Sequence, residues 1–136
     1  MSCSVLNPAQ IVIAADTIVV IDGKILGKPR SVRDATAMLQ RLSGREHMVY
    51  TGVAIYRNSS LLSAFHEVTR VRFRKLDLRE IREYVKSGLP MDKAGAYGIQ
   101  DDFGISFAEK IHGDYFNVVG LPVCHTYLEL RKILGR

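Results

Sequence analysis

An apolar run near the start of the chain, Ile11-Val12-Ile13-Ala14-Ala15-Asp16-Thr17-Ile18-Val19-Val20-Ile21, is interrupted by a single carboxylate. Without Asp16 the run reads as a buried strand of a sheet covered on both faces. Asp22-Gly23 behind it is a tight-turn signal. Ile25-Leu26-Gly27-Lys28-Pro29 is a short extended piece broken by Gly and Pro. Ser31-Val32-Arg33-Asp34 has the form of a capping box. It opens a helix with Val32, Ala35, Met38, Leu39 and Leu42 on one face, stopped at Gly44.

Residues 47–57 predict a strand, and Asn58-Ser59-Ser60 a hairpin loop. The return strand ends in alternation, with Val71 and Phe73 on one side and Arg70, Arg72 and Arg74 on the other. Asp77, with Glu80 three residues on, caps a second helix whose apolar face is Ile81, Tyr84 and Val85. Gly88 and Pro90 end it. Residues 92–100 are polar, Gly-rich and irregular. Residues 105–111 and 116–121 read as two strands joined through His112-Gly113-Asp114. Pro122 suits the first turn of a final helix carrying Tyr127, Leu128, Leu130, Ile133 and Leu134. Strands interleaved with helices predict an α/β fold, with a mixed sheet flanked by helices. With 136 residues and no linker or repeat, residues 1–136 are expected to form a single domain.

Composition narrows this only a little. Apolar content of 47% and charged content of 24% are those of an ordinary globular chain. A net charge of +5, spread along the chain, leans toward anionic partners such as nucleotides or nucleic acid. Arg70, Arg72 and Arg74 fit a basic stripe for nucleic acid, but a solvated sheet face is the commoner arrangement, so nucleic acid is not the expected partner. Two cysteines, Cys3 and Cys124, make neither a disulfide framework nor a zinc spacing and suit a reducing compartment. The histidines are scattered, and Cys124-His125 lacks the partners of a metal site. No apolar run is long enough to span a membrane and no signal peptide opens the chain, so a cytoplasmic location is expected.

Asp16 is the first candidate for chemistry. A carboxylate inside an apolar strand is costly unless it is hydrogen-bonded, paired, or open to a cleft. At a cleft it can activate water or hold a cation. The structural alternative is an Asp closing the strand, or an Asp-Thr pair bonding local backbone. Three further segments stand out: Gly27-Lys28-Pro29, residues 92–100 (Asp-Lys-Ala-Gly-Ala-Tyr-Gly-Ile-Gln), and residues 113–122 (Gly-Asp-Tyr-Phe-Asn-Val-Val-Gly-Leu-Pro). An Asp for water or metal, Lys28 and Lys93 for phosphate charge, and Gln100 for a base edge would together make a nucleotide site. Each has a plain alternative. Lys28 fits an exposed turn, Lys93 a pair with Asp92, Gln100 the cap of a strand, and Asn117 a bond to the turn before it.

In order and spacing these segments resemble the Maf family of nucleoside triphosphate pyrophosphatases, also described as septum-formation inhibitors. The likeness runs from about Ile11 to the C-terminus, and also takes in Leu42-Ser43-Gly44, Tyr50-Thr51-Gly52-Val53 and Val68-Thr69-Arg70-Val71. The resemblance implies a fold akin to that of inosine triphosphatases, with a cleft between two lobes. It implies hydrolysis of a nucleoside triphosphate to the monophosphate and pyrophosphate with a divalent metal, Mg²⁺ or Mn²⁺. Family members act on non-standard or surplus nucleotides, and some are linked to arrest of cell division. By motif match Asp16 corresponds to the general base, with a tentative part in metal binding. Lys28 matches a lysine near the phosphates, and Thr17 and Gln100 match positions that tune base choice. The Ala-Tyr-Gly-Ile-Gln form resembles the subgroup acting on dTTP and UTP. A related subgroup, acting on methylated guanosine triphosphate, has an acidic residue where Gln100 stands.

The sequence departs from the family pattern in two places. Members begin with a strand and a phosphate loop of the form Ser-x-Ser-Pro-Arg-Arg. Here Met1-Ser2-Cys3-Ser4-Val5-Leu6 leads almost directly into the Asp16 strand, so about two thirds of a family domain is expected. The missing segment would carry a phosphate-clamping arginine and a metal-binding acid. Its absence predicts uncovered sheet edge and self-association, as a homo-oligomer such as a dimer. Second, Asp101-Asp102-Phe103-Gly104 follows Gln100, where the family usually has Gly directly after the Gln. The expected activity is therefore a nucleoside triphosphate pyrophosphatase, and the alternative a catalytically impaired nucleotide-binding or regulatory relative.

Overall fold

The computed structural model describes residues 10–136; the reading of Cys3 and of residues 1–6 lies outside the described residues. Five strands form one sheet: β1 (Ile11–Ile21), β2 (Lys24–Leu26), β3 (Glu46–Arg57), β4 (Ser60–Phe73) and β5 (Ala108–His112), in the order β2-β1-β3-β4-β5. The expected α/β class holds, but all four pairings are antiparallel, so the described sheet is not mixed. The two pairs joined by tight turns, β1–β2 and β3–β4, have no other option. Asp22-Gly23 and Asn58-Ser59 are two-residue connections with both residues at positive φ, the geometry that matches strand twist. The Asp22 carboxylate also accepts a hydrogen bond from Arg45 Nη1 at 2.9 Å. This ties the first hairpin to the entry of β3, and Arg45 holds that carboxyl below its usual range.

α1 (Val32–Leu42) and α2 (Leu78–Lys86) cover one half of a single sheet face. Ser31 caps α1 by accepting from Asp34 N–H at 3.0 Å, but the Asp34 carboxylate turns to Arg30 N–H at 2.9 Å, so the expected capping box is only half formed. Ala35, Leu39 and Leu42 are buried, whereas Val32 is exposed. α2 has the full box between Asp77 and Glu80. Glu80 is also gripped by Arg74 at 2.7 Å, which draws its carboxyl down to about 2. Phe73 sits at the centre of the core, edge-on to Tyr97 at 4.7 Å and His47 at 5.0 Å.

The other half of that face is covered by α3 (Tyr115–Val119) and α4 (Val123–Ile133). Two expectations are corrected here. Residues 116–121 form no strand, because Asp114 caps a helical turn through Phe116 N–H at 2.8 Å and Gly120 ends it. Residues 105–106 are likewise in a 3-10 turn, and β5 begins at Ala108. α4 docks through Thr126 and through His125, which stacks on Phe65 at 3.9 Å and bonds Glu67 at 2.6 Å. Tyr127, Leu128 and Leu134, expected to be core-facing, are exposed.

The opposite sheet face has no cover among the described residues. Along β3, His47, Val49, Thr51, Val53 and Ile55 are buried, while the residues between them are half-buried or exposed. In β1 only Val19 and Ile21 are buried, so the expectation of cover on both faces fails for this strand. Arg70, Arg72 and Arg74 each face a carboxylate, Glu46, Glu109 and Glu80, which leaves no unpaired basic stripe. No described helix is long and apolar enough to cross a membrane.

His47 is 2% exposed, and its Nδ1 has no partner among the described residues. Burial therefore favours the neutral ring and lowers its pKa from 6.5 to about 4. The unfolded chain binds a proton there that the folded chain refuses. Stability from this site is complete above about pH 6.5 and is lost as pH falls toward 4, by about 3 kcal/mol. Urea unfolding at pH 7, 5.5 and 4 should show that loss. His47→Gln should flatten the slope across the same window.

Candidate functional site

β2 pairs only with Val19–Ile21 of β1, so beyond Val19 the outer edge of β1 has no strand partner among the described residues. At such an edge both the up- and down-pointing side chains reach the same opening. A cleft of about 470 Å³ lies there. Asp16, Thr17, Lys28, Lys93 and Gln100 all line it, although β1, the segment after β2 and the irregular 92–101 region contribute them separately. Asp16 is exposed at its mouth and has no hydrogen bond or ion pair among the described residues. It therefore does not pay for burial in an apolar strand, as the sequence pattern implied; it stands at an open edge.

The 92–101 region is held against β1 by backbone geometry. Gly95 N–H donates to Gly27 O at 3.1 Å, which brings Lys28 alongside Lys93. Gly95 has φ +71°, and a Cβ there would lie 2.9 Å from Val19 Cγ2. Glycine is thus required both for the backbone conformation and for the approach. Further on, buried Tyr84 clamps the turn that carries Gln100. Its hydroxyl accepts from Gly98 N–H at 2.9 Å and donates to Asp101 Oδ2 at 2.7 Å. Burial, reinforced by Asp101, pushes the Tyr84 hydroxyl above its ordinary pKa and keeps that proton in place. Gly104 backs onto the same turn, where a Cβ would collide with Gly98 O.

The two lysines differ. Lys93 Nζ donates to Leu89 O at 2.8 Å and Asp92 Oδ1 at 3.0 Å, and stands 3.6 Å from Asp101 Oδ2. Its plain alternative, a pair with Asp92, is therefore present. Lys28 has no such pair among the described residues and acts on Asp92 only at longer range. Thr17 Oγ1 is 2.8 Å from Thr51 Oγ1. Asn117 does not bond the turn before it; its side-chain amide reaches Val49 O, Glu67 O and Thr69 Oγ1 across two strands.

The sequence reading did not find Asp101, Tyr84 or Thr51 as site residues. The one signal for Asp101 was its position directly after Gln100, where the family pattern has glycine. Tyr84 read as a core residue of α2, which it also is, and its hydroxyl's partners lie far along the chain. Among the described residues no group of three or more His, Cys, Asp or Glu is placed to hold a metal. Of the three carboxylates that line the cleft, Asp92 and Asp101 are engaged by Lys93, so Asp16 is the one left unpaired among the described residues, a donor set that suits a divalent cation shared with a bound ligand rather than caged by protein.

Three carboxylates, two ammonium groups, a hydroxyl and an amide line one cleft at the edge of an antiparallel α/β sheet. Together they make a concave opening of small-molecule size lined by groups of both charges. The chain belongs to the Maf-like protein family, whose model matches residues 2–133. It is 52% identical over 124 residues to a dTTP/UTP pyrophosphatase of Clostridium tetani, covering 90% of this chain and 64% of that protein. A dTTP/UTP pyrophosphatase of Symbiobacterium thermophilum is 55% identical over 123 residues, covering 90% and 62%. A human protein described as a probable bifunctional dTTP/UTP pyrophosphatase/methyltransferase is 50% identical over 135 residues, covering 94% and 22%. The chain thus spans somewhat less than two thirds of the length of the two bacterial relatives.

Tyr84→Phe would leave Gly98 N–H without its acceptor and Asp101 without its donor at little change in shape. The expected effect is a loss of about 1–3 kcal/mol in urea unfolding. An unchanged midpoint would mean that the 98–101 turn is held by its backbone bonds alone.

Proposed function

We propose that this cleft hydrolyses nucleoside triphosphates, dTTP and UTP among them, to the monophosphate and pyrophosphate. The observation that carries the reading is the convergence of Asp16, Thr17, Lys28, Lys93 and Gln100 on one cleft. The printed activity of the relatives gives it a substrate class. In this reading Asp16 takes the proton from a water aimed at the α-phosphorus. The new P–O bond forms as the α–β phosphoanhydride breaks and pyrophosphate leaves with the electron pair. Lys28, free of other partners among the described residues, balances charge on the phosphates. Lys93 reaches them by exchanging Asp92 for phosphate oxygen, the weaker hold of an exposed pair. Gln100 presents a donor and an acceptor to the base edge. A divalent cation held by Asp16 and the phosphates would supply further neutralisation of the leaving group.

The same reading puts the protein in the cytoplasm, with its substrates, and in a homodimer. The outer edge of β1, which beyond Val19 has no strand partner among the described residues, supports self-association. A link to cell-division arrest belongs to this reading as well.

Pyrophosphate release should be measured across a panel of standard and modified nucleoside triphosphates with Mg²⁺ or Mn²⁺. Asp16→Asn should lower turnover by about 10²–10⁴-fold, the scale of a lost general base. Gln100→Glu replaces a donor with an acceptor-only group and should shift preference away from dTTP and UTP. Equal relative rates across nucleotides in that variant would remove Gln100 from base reading. Absence of turnover on every nucleotide would remove the enzymatic reading.

A further inference from the structure

The residues behind Thr17 decide which way its hydroxyl proton points. Thr51 is fully buried, and its Oγ1 donates to Asn117 O at 2.9 Å. A hydroxyl has one proton, and a carbonyl only accepts. The 2.8 Å bond between Thr51 and Thr17 therefore runs from Thr17 to Thr51. With its proton spent behind it, Thr17 Oγ1 offers the cleft lone pairs alone.

The carbonyl at the end of this chain of bonds is itself fixed. Asn117 is fully buried, and its amide donates to Val49 O at 3.2 Å, Glu67 O at 3.2 Å and Thr69 Oγ1 at 3.0 Å. Thr69 in turn donates to Asp114 O at 2.9 Å. α3 is thereby pinned across β3 and β4, and Asn117 O cannot turn away from Thr51 without breaking buried hydrogen bonds. The Gln100 amide has no such constraint among the described residues. A rotated amide swaps donor for acceptor and suits either kind of base edge, so Gln100 alone does not discriminate between them.

We infer that Thr51 and Asn117 are positioning residues that hold Thr17 as a fixed hydrogen-bond acceptor, so that the cleft selects a base presenting N–H over one presenting a bare ring nitrogen. Uracil and thymine carry the N–H, and cytosine carries the bare nitrogen at the same place. To accept cytosine, Thr17 must turn its proton into the cleft and leave Thr51 unpaired. This proposal rests on the nucleotide reading of the cleft and goes beyond it in naming what sets base choice.

The test is the ratio of kcat/KM for dTTP to that for dCTP, with the ratio of Kd values read by calorimetry where turnover is absent. The wild type is expected to favour dTTP. Thr51→Val keeps the shape and releases the Thr17 proton, and the ratio should fall by about tenfold, partly through a gain with dCTP. Thr51→Ser restores the hydroxyl and should restore the ratio. Thr17→Val, at the cleft rather than in the core, removes the acceptor itself and should lower the same ratio by about tenfold. A folded Thr51→Val with the wild-type ratio overturns the proposal and leaves the nucleotide reading intact. If Thr51→Val does not fold, an unchanged ratio in Thr17→Val overturns it. A wild type that binds neither nucleotide overturns the nucleotide reading and this proposal together.

Discussion

The register of β1, β3 and β4 is the constraint on which the rest of the structure depends. Val19 pairs with Val49 and Val49 with Thr69, while Thr17 pairs with Thr51 and Thr51 with Glu67. Odd-numbered residues of all three strands therefore share one face. The lower rows of that face make the core under α1 and α2. The upper rows make the polar layer under α3 that ends at Thr17. A slip of one residue in either pairing would exchange the faces. His47, Val49 and Phe73 would leave the core, and Thr51 would no longer stand behind Thr17. Core and site are thus specified by the same ladder.

The site itself arises where that ladder is left incomplete. A strand in the middle of a sheet sends alternate side chains to separate surfaces, whereas an edge brings neighbours to one opening. Asp16 and Thr17 point to opposite faces yet line the same cleft because β2 stops at Val19. The cleft wall is supplied by a segment that makes no regular ladder. That segment can approach β1 only where it carries no side chain, at Gly95. A minimal residue at one point thus permits Lys28, Lys93 and Gln100 to be supplied from loops while β1 stays rigid.

Local rules made much of the fold legible in the sequence. Both tight turns, the Asp77 capping box and the alternation of β4 depend on residues close in the chain, and each formed where its pattern stood. Errors came where tertiary contacts override local preference. The Val118-Val119 pair suggests a strand, but Asp114 and Gly120 cap a helical turn around it, and Asn117 finds its partners on two distant strands. The apolar stripe of α4 suggests a buried face, yet the helix docks through Thr126 and His125. Asp16 was found because a carboxylate breaks an apolar run, a signal visible in one dimension. The direction of the Thr17 proton, and the hold of Tyr84 on Gly98 and Asp101, exist only once residues from three segments meet.

The two lysines show why convergence on a cleft does not assign equal roles. Among the described residues Lys28 is held by no carboxylate and can meet an anion without first losing a partner. Lys93 begins in a shared arrangement with Asp92, Leu89 O and Asp101. Its charge becomes available only as a ligand replaces one of these contacts. Asp101 is the anchored partner, since buried Tyr84 holds it, whereas Asp92 stands in solvent. An incoming phosphate would therefore displace Asp92 more easily than Asp101. Lys93 would remain tied to the turn that carries Gln100 while it turned toward the ligand. Anion binding beside Lys93 would then bear mechanically on the turn that carries Gln100.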